Sequence, residues 1–267
     1  IGSELCRQII KSMPNKLLLL ELNEFALYKV YEELTTYEKN KKIIPLLGDS
    51  QDQSRLEVIF ETFKVDTVYH AAAYKHVPLV EENICAGVKN NVFSTLAIVK
   101  ASIIKKVTNF VLISSDKAVR PTNIMGASKR LAELCVQGIY YNVKNHKTNF
   151  SIVRFGNVLK SSGSVIPKFK KQIIEGGPVT LTDKNMTRFV MSVEESVRLV
   201  LDSSEQAKGG EVFVLDMGKP IRINDLAVKM IQLSGLTVLD ESNPKGDIEI
   251  KYTGLRPGEK LYEELLV

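Results

Sequence analysis

A chain of 267 residues, 44% hydrophobic and 25% charged, can bury a sizeable core and has an ordinary globular composition. Its formal net charge is +5 at pH 7, but lysine and arginine are scattered, which argues against a nucleic-acid partner and leaves anionic ligands open. Cys6, Cys85 and Cys135 lack metal-ligand spacing and cannot form a complete set of internal disulfides, so a reducing compartment and no metal site are expected.

The chain opens on Ile1-Gly2-Ser3-Glu4 and passes at once into helical periodicity over residues 3–11, as a fold entered after its first strand would. Short apolar runs predict strands at 16–22, 42–46, 67–70, 110–114, 150–154 and 211–215. Helical patterns fill 24–39, 53–63, 81–104, 127–143 and 192–203. Strand and helix in regular alternation predict an α/β fold, a doubly wound parallel sheet of the Rossmann type. After Gly156 the rhythm changes to loops rich in Gly, Ser and Pro. From Pro220 two helical patterns and a Pro257-Gly258 turn are expected. We therefore divide the chain into a dinucleotide-binding domain, 1–156, and a smaller C-terminal substrate region, 157–267, with 190–218 returning to the main sheet. No run reaches the ~20 apolar residues that span a bilayer.

A dinucleotide fold places a glycine-rich turn after its first strand, where backbone meets pyrophosphate at a helix N-terminus. Gly2 is available as the last glycine of such a turn; it also reads as a plain loop residue. Glu21 closes an apolar run about 20 residues on, where a carboxylate bonds ribose hydroxyls and favours NAD over NADP. A solvated strand-end acid is the other reading. Asp49 follows the third strand at a place suited to the adenine amino group. Ala71, Ala72 and Ala73 follow the fourth, where small side chains let a flat or charged group approach; tight packing explains them equally well.

Six pieces then occur in order: Gly2-Ser3-Glu4; Glu24-Phe25-Ala26-Leu27-Tyr28; His70 to Pro78; Ser115-Asp116-Lys117-Ala118-Val119-Arg120-Pro121-Thr122-Asn123; Arg154-Phe155-Gly156-Asn157-Val158; and Arg256-Pro257-Gly258-Glu259-Lys260-Leu261. Together they resemble the UDP-N-acetylhexosamine 4,6-dehydratases, in the CapD-like polysaccharide-biosynthesis branch of the extended short-chain dehydrogenase/reductases. The family's N-terminal membrane region, two further glycines of the turn and the first strand have no counterpart in this sequence.

The resemblance implies an internal redox dehydration of UDP-GlcNAc with NAD as cofactor, NADP being the alternative. It implies a homo-oligomer working in the cytoplasm at the inner face of a bacterial membrane, to which the native protein is anchored. By the same resemblance Asp116 is the acid at C6 and Lys117 the base at C5. Lys129 bonds the nicotinamide ribose, and Asn91 belongs to the cofactor or substrate wall. Lys75, Asn157, Arg188, Arg256 and Glu259 surround the UDP-sugar. A UDP-sugar 4-epimerase and a non-catalytic nucleotide-sugar module are the rival readings.

Two features of this run carry physical demands. An acid titrating near ~3.9 and an amine near ~10.4 must exchange their usual charges, a proton transfer costing about 9 kcal/mol in water, so a closed, dry site is expected. Met125 stands one helical turn before Lys129, where a short-chain dehydrogenase has tyrosine. A thioether cannot take the sugar 4-hydroxyl proton, so that task is expected to fall to Ser115.

Overall fold

The computed structural model describes residues 1–37, 43–159, 161 and 163–266. Its central layer has six parallel strands: β1 (Leu17–Glu21), β2 (Ile43–Leu47), β3 (Thr67–His70), β4 (Asn109–Ile113), β5 (Asn149–Arg154) and β6 (Val212–Val214). They match the six predicted runs to within two residues at either end. Lys42 of the predicted second strand lies outside the described residues, as do the last two positions of the helix expected over 24–39; Ser162, in the loop after Gly156, does too. β4 and β5 have no exposed residue, as strands covered by helices on both faces should.

The strands form two sheets rather than one. β1 pairs with β2 in register from Leu17 opposite Ile43 to Glu21 opposite Leu47. The other sheet runs β6-β5-β4-β3. Among the described residues no backbone pairing joins β1 to β3. A cavity of about 1220 Å³ separates them, lined by Leu17–Glu21 on one side and by residues 67–72 on the other. In the doubly wound order this is the place of the central strand.

The helices of residues 1–156 follow the predicted pattern with one correction. The stretch expected as one helix over 81–104 is four segments: Val77–Glu82, Ile84–Val88, a π-helical turn Lys89–Phe93 and Ser94–Ile104. The π turn displaces Asn91 inward, where it is buried. Helix Ile124–Asn142 begins at Asn123, whose Oδ1 accepts from the Gly126 amide at 2.8 Å.

The C-terminal region differs most from expectation. One helix, Ile223–Leu233, follows Pro220, and the second helical pattern is not realised. Strands Val238–Leu239 and Ile248–Tyr252 take its place, interrupted by Pro244 and Gly246. These elements, with helix Val165–Ile174 and strand Val179–Leu181, enclose a hydrophobic cluster of their own around Phe169, Ile231 and Ile248. The segment after Tyr252 has no regular structure and folds back over the carboxyl end of β4.

Candidate functional site

The carboxyl end of β4 delivers the chain into a single 3₁₀ turn, Asp116–Ala118. Ser115 caps it: its Oγ accepts from the Lys117 amide at 3.2 Å and donates to Asp116 Oδ1 at 2.9 Å. The turn lies flat on helix Ile124–Asn142 because Gly126 allows it. A Cβ at Gly126 would stand 2.2 Å from the Lys117 carbonyl oxygen, which backbone atoms cannot tolerate.

Asp116 is fully buried. Its Oδ1 receives Ser115 Oγ and, at 3.1 Å, Lys117 Nζ. Its Oδ2 has no hydrogen-bond partner among the described residues and faces Gly156, where a Cβ would come within 2.9 Å of it. Lys117 Nζ lies 3.2 Å from Asn157 Oδ1 and 3.4 Å from Glu263 Oε1. One ammonium thus sits between two carboxylates and an amide oxygen. Ser115, Asp116 and Lys117 lie together; Asn157, expected around the UDP-sugar, and Glu263, buried and without any sequence signal, join them.

A second ionic cluster lies one layer below. Lys129, also buried, donates to the Ile113 carbonyl at 2.5 Å. Burial pushes its amine down to about 8, with the charge of Glu133 pulling the other way. Glu133 is fully buried and accepts Arg154 Nε at 2.8 Å, Arg154 Nη2 at 2.5 Å, Ser114 Oγ at 2.6 Å and Arg130 Nη1 at 2.9 Å. Burial alone would raise its carboxyl; the hydrogen bonds from Arg154 and Ser114 and the charge of Arg154 outweigh that and hold it below the ordinary range. Sequence reasoning passed over Glu133, although it stands four residues after Lys129 on the same buried helix face. Met125 is also buried here; its carbonyl accepts from Ser128 Oγ at 2.7 Å, and its thioether offers nothing to a proton.

The cofactor-side candidates gather elsewhere. Gly2, Glu21, Ala71 and Ala72 line the cavity between β1 and β3; Asp49 and Ala73 do not. Gly2 begins helix Gly2–Lys11, and nothing stands within 4 Å of where its Cβ would be. Glu21 is exposed, and among the described residues the one hydrogen bond to its carboxylate is from the Asn23 amide, at 2.9 Å. Asp49 is engaged with the Gln51 amide at 2.8 Å. Asn91 accepts from the Tyr74 amide at 2.8 Å and donates to the Tyr74 carbonyl and Ser128 Oγ, so it ties the strand-end loop to the helix. His70 is buried and held neutral, pushed down to about 3 first by burial and then by Lys129.

The substrate-side candidates divide. Arg256 is exposed, while Arg188 is buried. Arg188 donates to the carbonyls of Thr187, Lys260 and Leu261 at 2.7 to 3.1 Å, with Glu259 and Glu263 each 3.9 Å away. Lys75 is exposed and reaches Ser161 Oγ at 3.4 Å. No helix among the described residues is long and apolar enough to cross a membrane. No group of three metal-ligating side chains occurs among them.

Residues 1–267 match the family described as polysaccharide biosynthesis protein. The chain is 49% identical over its whole length to the capsular polysaccharide biosynthesis protein CapD of Staphylococcus aureus, and spans 43% of that protein. It is 32% identical over 95% of its length to a UDP-N-acetylglucosamine 4,6-dehydratase (inverting) of Campylobacter jejuni, covering 70% of it. A UDP-glucose 4-epimerase of Rickettsia bellii is 36% identical over 89% of the chain, which covers 66% of it. Among solved structures, Pen from Bacillus thuringiensis superposes with a TM-score of 0.90 at 36% identity, over 100% of this chain and 80% of that one.

Proposed function

The chain belongs to the polysaccharide biosynthesis protein family, and on that premise we propose that it carries the catalytic site of an NAD-dependent UDP-GlcNAc 4,6-dehydratase serving bacterial surface-glycan synthesis. The observation that carries this reading is the enclosed Asp116–Lys117 pair. A lone hydride transfer has no use for a buried acid in contact with a half-buried amine; an elimination needs one of each.

The residues around the cavity suit the cofactor. Glu21 has carboxylate oxygen to spare for ribose hydroxyls, and Gly2, Ala71 and Ala72 leave the backbone open to a phosphate or a flat ring. When bound, NAD supplies a hydride acceptor for C4 of the sugar and a hydride donor for C6. Every proton then moves on this chain's own groups. Lys117 Nζ takes the C5 proton. Asp116 gives its proton to the departing C6 hydroxyl, which leaves as water. Lys117 returns a proton to C5. The 4-hydroxyl proton restores Asp116 by way of Ser115, whose Oγ is already hydrogen-bonded to Asp116 Oδ1. The proton count closes with one water lost and no external reductant.

Residues 157–267 supply the UDP-sugar side in this reading, with Asn157, Arg256, Glu259 and Lys75 around the substrate. Arg188 acts through the C-terminal segment it holds. The whole protein assembles with copies of itself at the inner face of the membrane; a relative from Methanocaldococcus jannaschii, 46% identical, is described as an uncharacterized membrane protein, which supports the membrane part of this reading alone. The likeness to the Rickettsia epimerase favours a second reading, in which hydride returns to C4 and no water is lost. Incubation with UDP-GlcNAc and NAD, followed by mass spectrometry, decides between them. A 4-keto product lighter by one water is expected, and an isomer of unchanged mass would overturn the dehydratase.

A further inference from the structure

We infer that Glu263, on the C-terminal segment, is a positioning residue that holds Lys117 in place for proton transfer and makes a working acid–base pair depend on that segment being seated. The inference rests on the dehydratase reading for its chemical meaning, but on geometry for its existence.

Lys117 Nζ has three oxygen partners: Asp116 Oδ1 from its own turn, Asn157 Oδ1 from strand Asn157–Val158, and Glu263 Oε1 from the C-terminal segment. The first two leave the amine free to swing on a four-carbon stem. The third comes from a distant part of the chain. Glu263 is itself buried, and Arg188 Nε, on strand Thr187–Arg188, lies 3.9 Å from the same Oε1. Two cations thus draw on one carboxylate oxygen and hold it near Lys117.

The segment carrying Glu263 is fastened at several points to the parts that make the site. The Gly258 carbonyl accepts from Thr122 Oγ1 at 2.9 Å and Asn123 Nδ2 at 3.1 Å. Lys260 Nζ donates to the Val119 carbonyl at 3.0 Å, and Glu264 meets Arg120 at 3.2 Å. Arg188 clamps the carbonyls of Lys260 and Leu261. Thr122, Asn123 and Val119 belong to the loop that continues the Asp116–Ala118 turn. The same segment carries Arg256 and Glu259, so a ligand that engages them bears on Glu263 through about five residues of chain. Seating the segment and placing Lys117 are one event.

The test uses the full chain with Glu263→Gln and Glu263→Asp. The first readout needs no activity: the rate of acetic anhydride labelling of Lys117 at pH 8, followed by peptide mass spectrometry. Glu263→Gln removes the charge that pairs with the amine and is expected to speed labelling several-fold, because the amine is released from its place. Glu263→Asp draws the carboxylate back by one methylene and is expected to label at a rate between the two. An unchanged rate in a folded Glu263→Gln protein, checked by circular dichroism, overturns the inference. If Glu263→Gln does not fold, Glu263→Asp decides by itself: labelling faster than the parent's is expected, and a parental rate overturns the proposal. The second readout is water loss from UDP-GlcNAc, where kcat is expected to fall with KM little changed. A labelling change in a protein whose parent releases no water would leave the positioning role standing and sink the dehydratase reading instead.

Discussion

Two buried ionic clusters lie one layer apart, and they are built in opposite ways. Around Glu133 every carboxylate valence is used: a two-pronged Arg154, Ser114 and Arg130, all at 2.5 to 2.9 Å. Around Asp116 one oxygen is unpaired, and a single ammonium is shared between two carboxylates at 3.1 and 3.4 Å. Saturation of the first cluster fixes backbone: it ties β5 to the helix that carries Lys129. Incompleteness of the second leaves hydrogen-bonding capacity for something else. A buried polar group normally finds its partners, so an enclosed oxygen without one marks where a reacting group would be received.

The largest effect expected is on the saturated cluster. Arg154→Ala leaves Glu133 charged, buried and short of its main partner, a loss of about 3–5 kcal/mol by the usual cost of halving a buried pair. Urea unfolding should show it, and a midpoint close to the parent's would mean the cluster is not the scaffold described. Asp116→Asn should do the reverse. It removes a poorly satisfied charge and should leave the unfolding midpoint within about 1 kcal/mol, in the range of substitutions that break no named feature. Turnover should fall about 10²–10⁴-fold, the usual worth of a positioned acid. A stable variant with full turnover would erase the contrast between the clusters.

Lys129 belongs to the Glu133 cluster and gives the comparison a pH axis. Its amine is depressed to about 8 in the fold against 10.5 in the unfolded chain. Between those values the unfolded chain holds a proton that the native one does not, so stability rises with pH across the window, by roughly 3 kcal/mol in all. Below about 8 both states are protonated and this contribution is flat. Lys129→Met should abolish the rise from pH 8 to 10.5 in denaturation midpoints. A rise that persists would place the titrating group elsewhere.

The parallel sheet was legible because buried strands are short apolar runs between longer helical patterns, and those of β3, β4 and β5 are unmistakable. The split between β1 and β3 was not, since pairing depends on what lies beside a strand rather than on its own residues. The Asp116–Lys117 turn and Asn157 could be named from an ordered motif. Glu263 could not: it lies about 146 positions from Lys117 in an irregular segment, and only the fold-back brings it there. Arg188 illustrates the converse. Its residue type suggests a phosphate ligand, but the carbonyls of the C-terminal segment take its donors first.

Met125 makes the finest test, because sequence placed it at the head of the site and geometry buries it below. It is 3% exposed and lies on the turn of helix that covers the Asp116–Lys117 loop. If its part is volume alone, Met125→Leu is a near-isosteric swap costing less than about 1.5 kcal/mol. Turnover should stay within a few-fold of the parent. Ser115→Ala, by contrast, should lose turnover while retaining UDP-sugar binding if, as the dehydratase reading has it, this hydroxyl passes the 4-hydroxyl proton to Asp116. The pair separates filler from relay at two positions ten residues apart in sequence. A Met125→Leu enzyme as impaired as Ser115→Ala would mean that the sulfur touches the reacting sugar, and that the enclosed pair is not the whole of the chemistry.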